Sequence, residues 1–276
     1  MQSITVTKIR GNILSNAKKT LPALFIGHGS PMNAIADNSF TEKMQKLGRI
    51  LPRPEAILVI SAHWETDNTW VSATLQPETI HDFYGFPEVL YKIQYPAQGN
   101  PTLAHKLEYN VLSGQCYVDD KRGLDHGAWS ILLHLFPQAN IPVIQLSLDR
   151  YKSLQEHYAL AQHLRVLRNQ GVLIIGSGNI VHNLQLMQQS ENAQPHKWAV
   201  AFDAFICEAL ENRAFEQILE FRQYAPEDSA KLSVPTLEHF VPLLYTLAVS
   251  DDNDKITYPV EGFQYASLSM RSIQFG

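Results

Sequence analysis

Leu21-Pro22-Ala23-Leu24-Phe25-Ile26-Gly27-His28-Gly29-Ser30-Pro31 opens the interpretable part of the chain with an apolar run that breaks at once into glycine and histidine. An apolar stretch without polar alternation is the mark of a strand covered on both faces. The same grammar recurs where residues 56–60 run into Ser61-Ala62-His63-Trp64-Glu65, and where residues 172–175 run into Gly176-Ser177-Gly178-Asn179-Ile180-Val181-His182-Asn183. A fourth run, residues 141–148, is bounded by Pro142 and Asp149. Helical character separates these runs at residues 38–47, 102–112, 129–135, 154–170 and 197–211. In the clearest helix Leu160, Leu164 and Leu167 recur at three- and four-residue spacing before Gly171 ends it. Strand and helix in alternation predict an α/β fold: a single domain with a central, largely parallel or mixed sheet flanked by helices, binding its ligand outside the carboxyl ends of the strands. That domain is assigned to residues 21–276, after a poorly ordered leader at residues 1–20.

Composition narrows the function. A formal net charge of -5 leaves no basic excess for phosphates, so neither a nucleic acid nor an anionic membrane is the expected partner. Lys8, Arg10, Lys18 and Lys19 dot a leader that holds no apolar run long enough for a signal peptide or span, which points to the cytoplasm. Cys116 and Cys207 lack the paired spacing of a thiolate metal site. No coiled-coil heptad is present, consistent with a monomer or small homo-oligomer.

Eleven histidines are the unusual count, and imidazole is the commonest neutral metal ligand near pH 7. One histidine at a strand end can equally be a hydrogen-bonded residue; His28 and His63, ending two buried strands, together favour a metal cleft. His182 follows the third strand by a few residues. Pro235-Thr236-Leu237-Glu238-His239-Phe240-Val241-Pro242 reads as a turn entering a helix, since Pro242 is tolerated only in a first helical turn. His126 sits in a loop that enters another helix. Between residues 74 and 100 an irregular stretch rich in Pro, Gly and aromatics, including His81, Phe83, Tyr84 and Tyr91, reads as a loop over the site. Asp203, Glu208, Asp251, Asp252 and Asp254 read as solvated surface charge. No GxSxG elbow, P-loop or GxGxxG is present.

Six motifs, in order, carry a resemblance: Gly27-His28-Gly29-Ser30-Pro31, Ser61-Ala62-His63-Trp64, His81-Asp82-Phe83-Tyr84-Gly85-Phe86-Pro87, Asp125-His126-Gly127-Ala128-Trp129, residues 176–184, and Glu238-His239-Phe240-Val241-Pro242-Leu243-Leu244. They resemble the class III, LigB-like extradiol ring-cleavage dioxygenases, and within them the DOPA 4,5-dioxygenase branch, over roughly residues 21–275. The resemblance implies one Fe(II) or Zn(II) per chain and cleavage of a small aromatic diol by O2 to a muconate-semialdehyde-type product. His28, His63 and His239 match ligand positions. His182 matches the acid/base histidine and lies near enough to be a fourth ligand when substrate is absent; His126 is the second acid/base candidate. Ser30, His81 and Tyr84 are the expected substrate-binding residues. The wider class completes its triad with glutamate, whereas Glu238 and His239 are adjacent here, and three neutral imidazoles suit zinc as well as iron. Two other readings stay open: a zinc hydrolase with Glu65 or Glu238 as base, and a non-catalytic metal-binding interaction protein.

Overall fold

The computed structural model describes residues 20–226 and 228–276, so the expected leader lies, except for Thr20, outside the described residues. Its strands are β1 (Ala23–Gly27), β2 (Ala56–Thr66), β3 (Trp70–Ser72), β4 (Tyr117–Asp119), β5 (Val143–Asp149), β6 (Val172–Gly178), β7 (Ile256–Val260), β8 (Phe263–Gln264), β9 (Leu268–Ser269) and β10 (Ser272–Phe275). Eight form one sheet in the order β4-β3-β5-β2-β6-β1-β10-β7, while β8 and β9 pair as a short ribbon. The four apolar runs are its centre: β5, β2, β6 and β1 are mutually parallel, and antiparallel pairing enters through β10, β7 and the β3–β5 contact. The sheet is therefore mixed around a parallel core.

Alternate residues of the central strands feed two cores. Phe25, Leu58, Ile60, Ile144, Leu146 and Ile174 pack on one side. Leu24, Ile26, Ile57, Val59, Leu173 and Ile175 pack on the other. This double covering explains why the runs lack polar alternation. Helices α1 (Ser39–Ile50) and α3 (His126–Leu135) supply the second side, through Met44, Leu47, Trp129 and Leu132. Between them in sequence lies α2 (Pro101–Lys106), which passes into a π-helical turn at Leu107–Val111 where one helix is expected.

Helices α4 (Leu154–Gln162), α5 (Arg165–Arg168), α6 (Lys197–Glu211), α7 (Phe215–Leu219), α8 (Phe221–Tyr224), α9 (Ser229–Ser233) and α10 (Val241–Val249) follow, and α4, α6 and α10 cover the first side. The continuous helix expected over residues 154–170 is broken between α4 and α5. There the N–H groups of His163 and Leu164 reach back only three residues, to Leu160 and Ala161. The tighter turn still leaves Leu160, Leu164 and Leu167 buried together. Among the described residues no helix is long and apolar enough to cross a membrane.

Two acids assigned to the surface are instead paired with cations, one buried and one half-buried. Asp203 is buried, accepting from Ser269 Oγ at 2.6 Å and from Arg271 Nη2 at 2.7 Å. Asp254 meets the buried guanidinium of Arg168, which also donates to the carbonyls of Leu21, Val249 and Phe275 and so ties both ends of the described chain together.

Candidate metal centre and catalytic cleft

Five histidines converge at the carboxyl ends of the central strands, each on its own element. His28 follows β1 directly, its N–H donating to the Gly178 carbonyl at 3.0 Å, and Gly29 turns the chain at φ 63°. His63 does not follow β2, as its sequence suggests, but lies within it. Pairing with β5 steps from Ile60↔Leu146 to Glu65↔Leu148, so the segment carrying His63 bulges out of the ladder. Such a bulge re-aims a side chain without ending the strand.

His126 is the first residue of α3, whose N-cap Asp125 accepts the Ala128 N–H at 3.1 Å. The fully buried Asp125 carboxylate also accepts from Ser61 Oγ, Gln145 Nε2 and Arg122 Nη2, at 2.7, 2.7 and 2.9 Å. His182 lies beyond β6 and is fixed by its N–H to the Ser233 carbonyl at 2.9 Å. His239 precedes α10, where Pro242 occupies the first turn as expected. Its backbone rides on Gly178, where a Cβ would stand 2.1 Å from the His239 oxygen. Only glycine admits that approach.

The rings form one cluster. Centroids of His28 and His63 are 5.1 Å apart, those of His63 and His126 3.9 Å, and His239 stands 5.3 and 5.0 Å from His28 and His63. His182 stacks on His239 at 3.5 Å with 6° between the planes. Donor atoms of His28, His63 and His126 lie within 4.8 Å of one another, as do those of His182, Glu238 and His239.

The protons of two rings follow from their hydrogen-bond partners, and that of a third is biased by a nearby charge. Ser177 Oγ donates its single hydrogen to the Gly127 carbonyl at 2.6 Å and therefore accepts from His28 Nδ1 at 2.9 Å. The Nδ1 of His63 faces an Asp82 carboxylate oxygen at 3.4 Å, and that of His239 faces Glu238 Oε1 at 3.0 Å. Protons held on Nδ1 of His28 and His239 leave their Nε2 lone pairs bare, and the nearby Asp82 charge favours the same tautomer of His63. The Nε2 atoms of His28 and His63 stand 3.3 Å apart, and the buried Nε2 of His239 has no protein partner. Two bare nitrogens at that separation repel unless a cation lies between them. Two imidazoles about 2.0–2.1 Å from one tetrahedral ion stand about 3.3 Å apart, so the donor set fits a metal.

Burial keeps these rings neutral. It pushes His63 and His182 down to about 4 and holds His28 and His239 well below the ordinary value of 6.5, with neighbouring histidines adding to the effect. The sign is fixed. Between pH 6.5 and about 4 the unfolded chain takes up protons that the folded cleft refuses, so this stability is full above 6.5 and is lost as the pH falls toward 4. The melting temperature of chelator-treated protein is therefore expected to drop steeply across that window in a pH-resolved thermal scan. A Tm level from pH 7 to pH 4.5 contradicts the assignment.

The cleft is a cavity of about 230 Å³ that brings together His28, His63, His126, His182 and His239 with Ser30 at one wall. Phe83, Phe86, Pro31, Leu184, Met187 and Leu268 supply apolar walls. The structure does not bring His81 or Tyr84 into it. The Nε2 of His81 is hydrogen-bonded to the Ile93 carbonyl at 3.0 Å, and its ring packs against Phe83, Tyr91 and Trp129. Tyr84, beside the turn at Gly85, is 91% exposed. Asp82 lines the cavity instead, a residue quoted in the aromatic motif but given no role by its sequence.

The family described as the catalytic LigB subunit of aromatic ring-opening dioxygenase matches residues 22–276. The chain is 42% identical to a 4,5-DOPA dioxygenase extradiol of Escherichia coli K12, over 97% of this chain and 98% of that protein. It is 41% identical to a protein of the same description from Beta vulgaris, over 94% and 97% of the two chains. A crystal structure of an uncharacterized Escherichia coli K12 protein superposes with a TM-score of 0.80 at 38% identity, covering 93% of this chain and all of that one.

Proposed function

We propose, from the premise that this chain belongs to the LigB family of aromatic ring-opening dioxygenases and is itself an extradiol dioxygenase, that it opens a DOPA-like or related catechol beside the hydroxyl pair, using one iron(II) ion. The observation that carries the reading is the 3.3 Å approach of the His28 and His63 Nε2 atoms in a cavity that the buried, unpartnered Nε2-bearing ring of His239 also lines. These residues would hold the ion. The donor atom of His126 also lies within 4.8 Å of those of His28 and His63; His239 is preferred as third ligand because Glu238 engages its Nδ1 at 3.0 Å and leaves its buried Nε2 for an ion, as the family resemblance also implies. When bound, the ion supplies positive charge to the catechol oxygens and an electron path from ring to O2, which iron(II) provides and redox-inert zinc(II) does not.

The remaining steps belong to the chain. The neutral His182 ring, held flat on His239, accepts a catechol hydroxyl proton and gives it back to an oxygen that came from O2 as the ring opens, so that both oxygen atoms and the proton end in the product. His126 lines the same cavity and is the second candidate proton carrier. Phe83, Phe86, Leu184 and Met187 keep water from the reacting carbons, and Ser30 is placed to meet a substituent of the ring.

No Lys or Arg is among the described residues lining the cavity, and its one carboxylate, Asp82, is engaged with histidines. A carboxylate carried directly on the ring would enter without a partner. With iron-loaded protein, 4-methylcatechol is therefore expected to give a yellow ring-opened product with equal consumption of O2, at a kcat/KM at least about tenfold above that of protocatechuate. Absence of product with any catechol after verified iron loading overturns the ring-opening reading; preference for protocatechuate overturns the substrate assignment alone.

A further inference from the structure

We propose that Asp82 is a positioning residue that couples the aromatic loop over the cavity to the metal-binding histidines. The proposal rests on the reading that His63 holds a metal. Asp82 is the sole carboxylate among the described residues lining the cavity. Its Oδ1 accepts the His126 backbone N–H at 2.9 Å and lies 3.0 Å from Nδ1 of the same residue, while Oδ2 lies 3.4 Å from His63 Nδ1. The contact with His126 Nδ1 runs off the N–H axis, so the backbone bond is the firmer anchor. One side chain thus addresses two rings that arrive from a bulged strand and from a helix start, and whose centroids are 3.9 Å apart.

Asp82 also sits between two residues that fix the loop. His81 is bonded to the Ile93 carbonyl, closing the loop base, and Phe83 is buried against Phe86, Tyr91 and His126 at the cavity wall. The Asp82 charge, 3.4 Å from His63 Nδ1, favours the proton there by electrostatic attraction and so favours a free Nε2 for the ion. Replacing it with a neutral amide removes that bias, so the tautomer with Nε2 protonated competes with the metal. Carboxylate partners of ligating histidines are worth about 10–100-fold in metal affinity. Any force that fixes His63 is transmitted through the same carboxylate to residues 82–86, which makes loop order depend on metal occupancy.

Asp82→Asn separates this role from simple folding, because the amide oxygen can still accept the His126 N–H. Zinc(II) is the probe, titrated against a competing chelator to avoid redox chemistry, with hydrogen exchange over residues 81–95 followed in parallel. In the unsubstituted protein zinc is expected to slow exchange at residues 83–86. In Asp82→Asn, zinc is expected to bind about 10–100-fold more weakly, with loop protection lost even at saturating zinc and the metal-free Tm unchanged. Zinc affinity within about twofold of the unsubstituted value, or metal-induced protection that persists in the variant, overturns the proposal. Should the variant not fold, Asp82→Ser carries the same two readouts, and Tyr84→Ala is expected to leave both as they were. Failure of the unsubstituted protein to bind zinc at all would instead sink the metal reading.

Discussion

Substituting His28 or His63 by alanine is expected to empty the metal site and abolish ring opening. Each contributes one of two bare Nε2 atoms 3.3 Å apart, aimed by Ser177 and by the Asp82 carboxylate. Binding free energies of about 10–16 kcal/mol for histidine and cysteine zinc sites, divided among three or four ligands, give about 2.5–5 kcal/mol per ligand, roughly a hundred- to several-thousandfold in affinity. Metal content after desalting should fall from about one ion per chain toward zero, with turnover falling in step. Neither variant should be grossly unstable without metal, because removal of a buried ring also relieves histidine crowding. Retention of a full equivalent of iron by His28→Ala would place the ion elsewhere.

His182→Gln should behave differently. Its ring is stacked on His239, and burial keeps it neutral, with a value pushed down to about 4. A ring in that state accepts a proton in transit and does not need to hold the ion. The variant is expected to keep its iron and bind catechol while kcat falls about 10²- to 10⁴-fold, the usual share of a general acid–base group. Metal analysis and steady-state kinetics on one preparation separate the outcomes. Loss of iron together with turnover would make His182 a ligand; unchanged kcat would remove it from the proton path and leave His126 as the candidate.

The contrast between these two variants reflects what could be read from residue order. The apolar bodies of β1 and β6 were legible because burial on both faces leaves an uninterrupted run, whereas the end of β6 was not: the strand continues, still buried, through Gly176-Ser177-Gly178, where the sequence suggests a break. His63 was legible as a site residue but not as a strand residue. Its bulge exists only in the mismatch between Ile60↔Leu146 and Glu65↔Leu148, a register set by a strand some eighty residues away. The same limit hid Asp203 and Asp254, whose cationic partners Arg271 and Arg168 are distant in sequence. An acid looks solvated until its counter-charge is placed.

Asp125 could have been found, since an aspartate directly before an apolar helical run is an N-cap signal. Asp82 could not, because nothing local tells a loop carboxylate that it faces two imidazoles. His81 and Tyr84 share its motif and point away from the cavity, one bonded into the loop base and the other into solvent. Order within a motif marks a neighbourhood, and only packing decides which side chain turns inward.

Oxygen labelling tests the central claim, that this histidine cleft with iron(II) opens a catechol by dioxygenation, most directly. Anaerobically iron-loaded protein should be mixed with 4-methylcatechol and ¹⁸O₂, and the aldehyde product trapped at once by reduction before it exchanges oxygen with water. The account predicts two labelled oxygens per ring-opened molecule, one in the carboxylate and one in the trapped alcohol, and no product from His28→Ala. A product labelled once or not at all, or ring opening that survives His28→Ala, would contradict it.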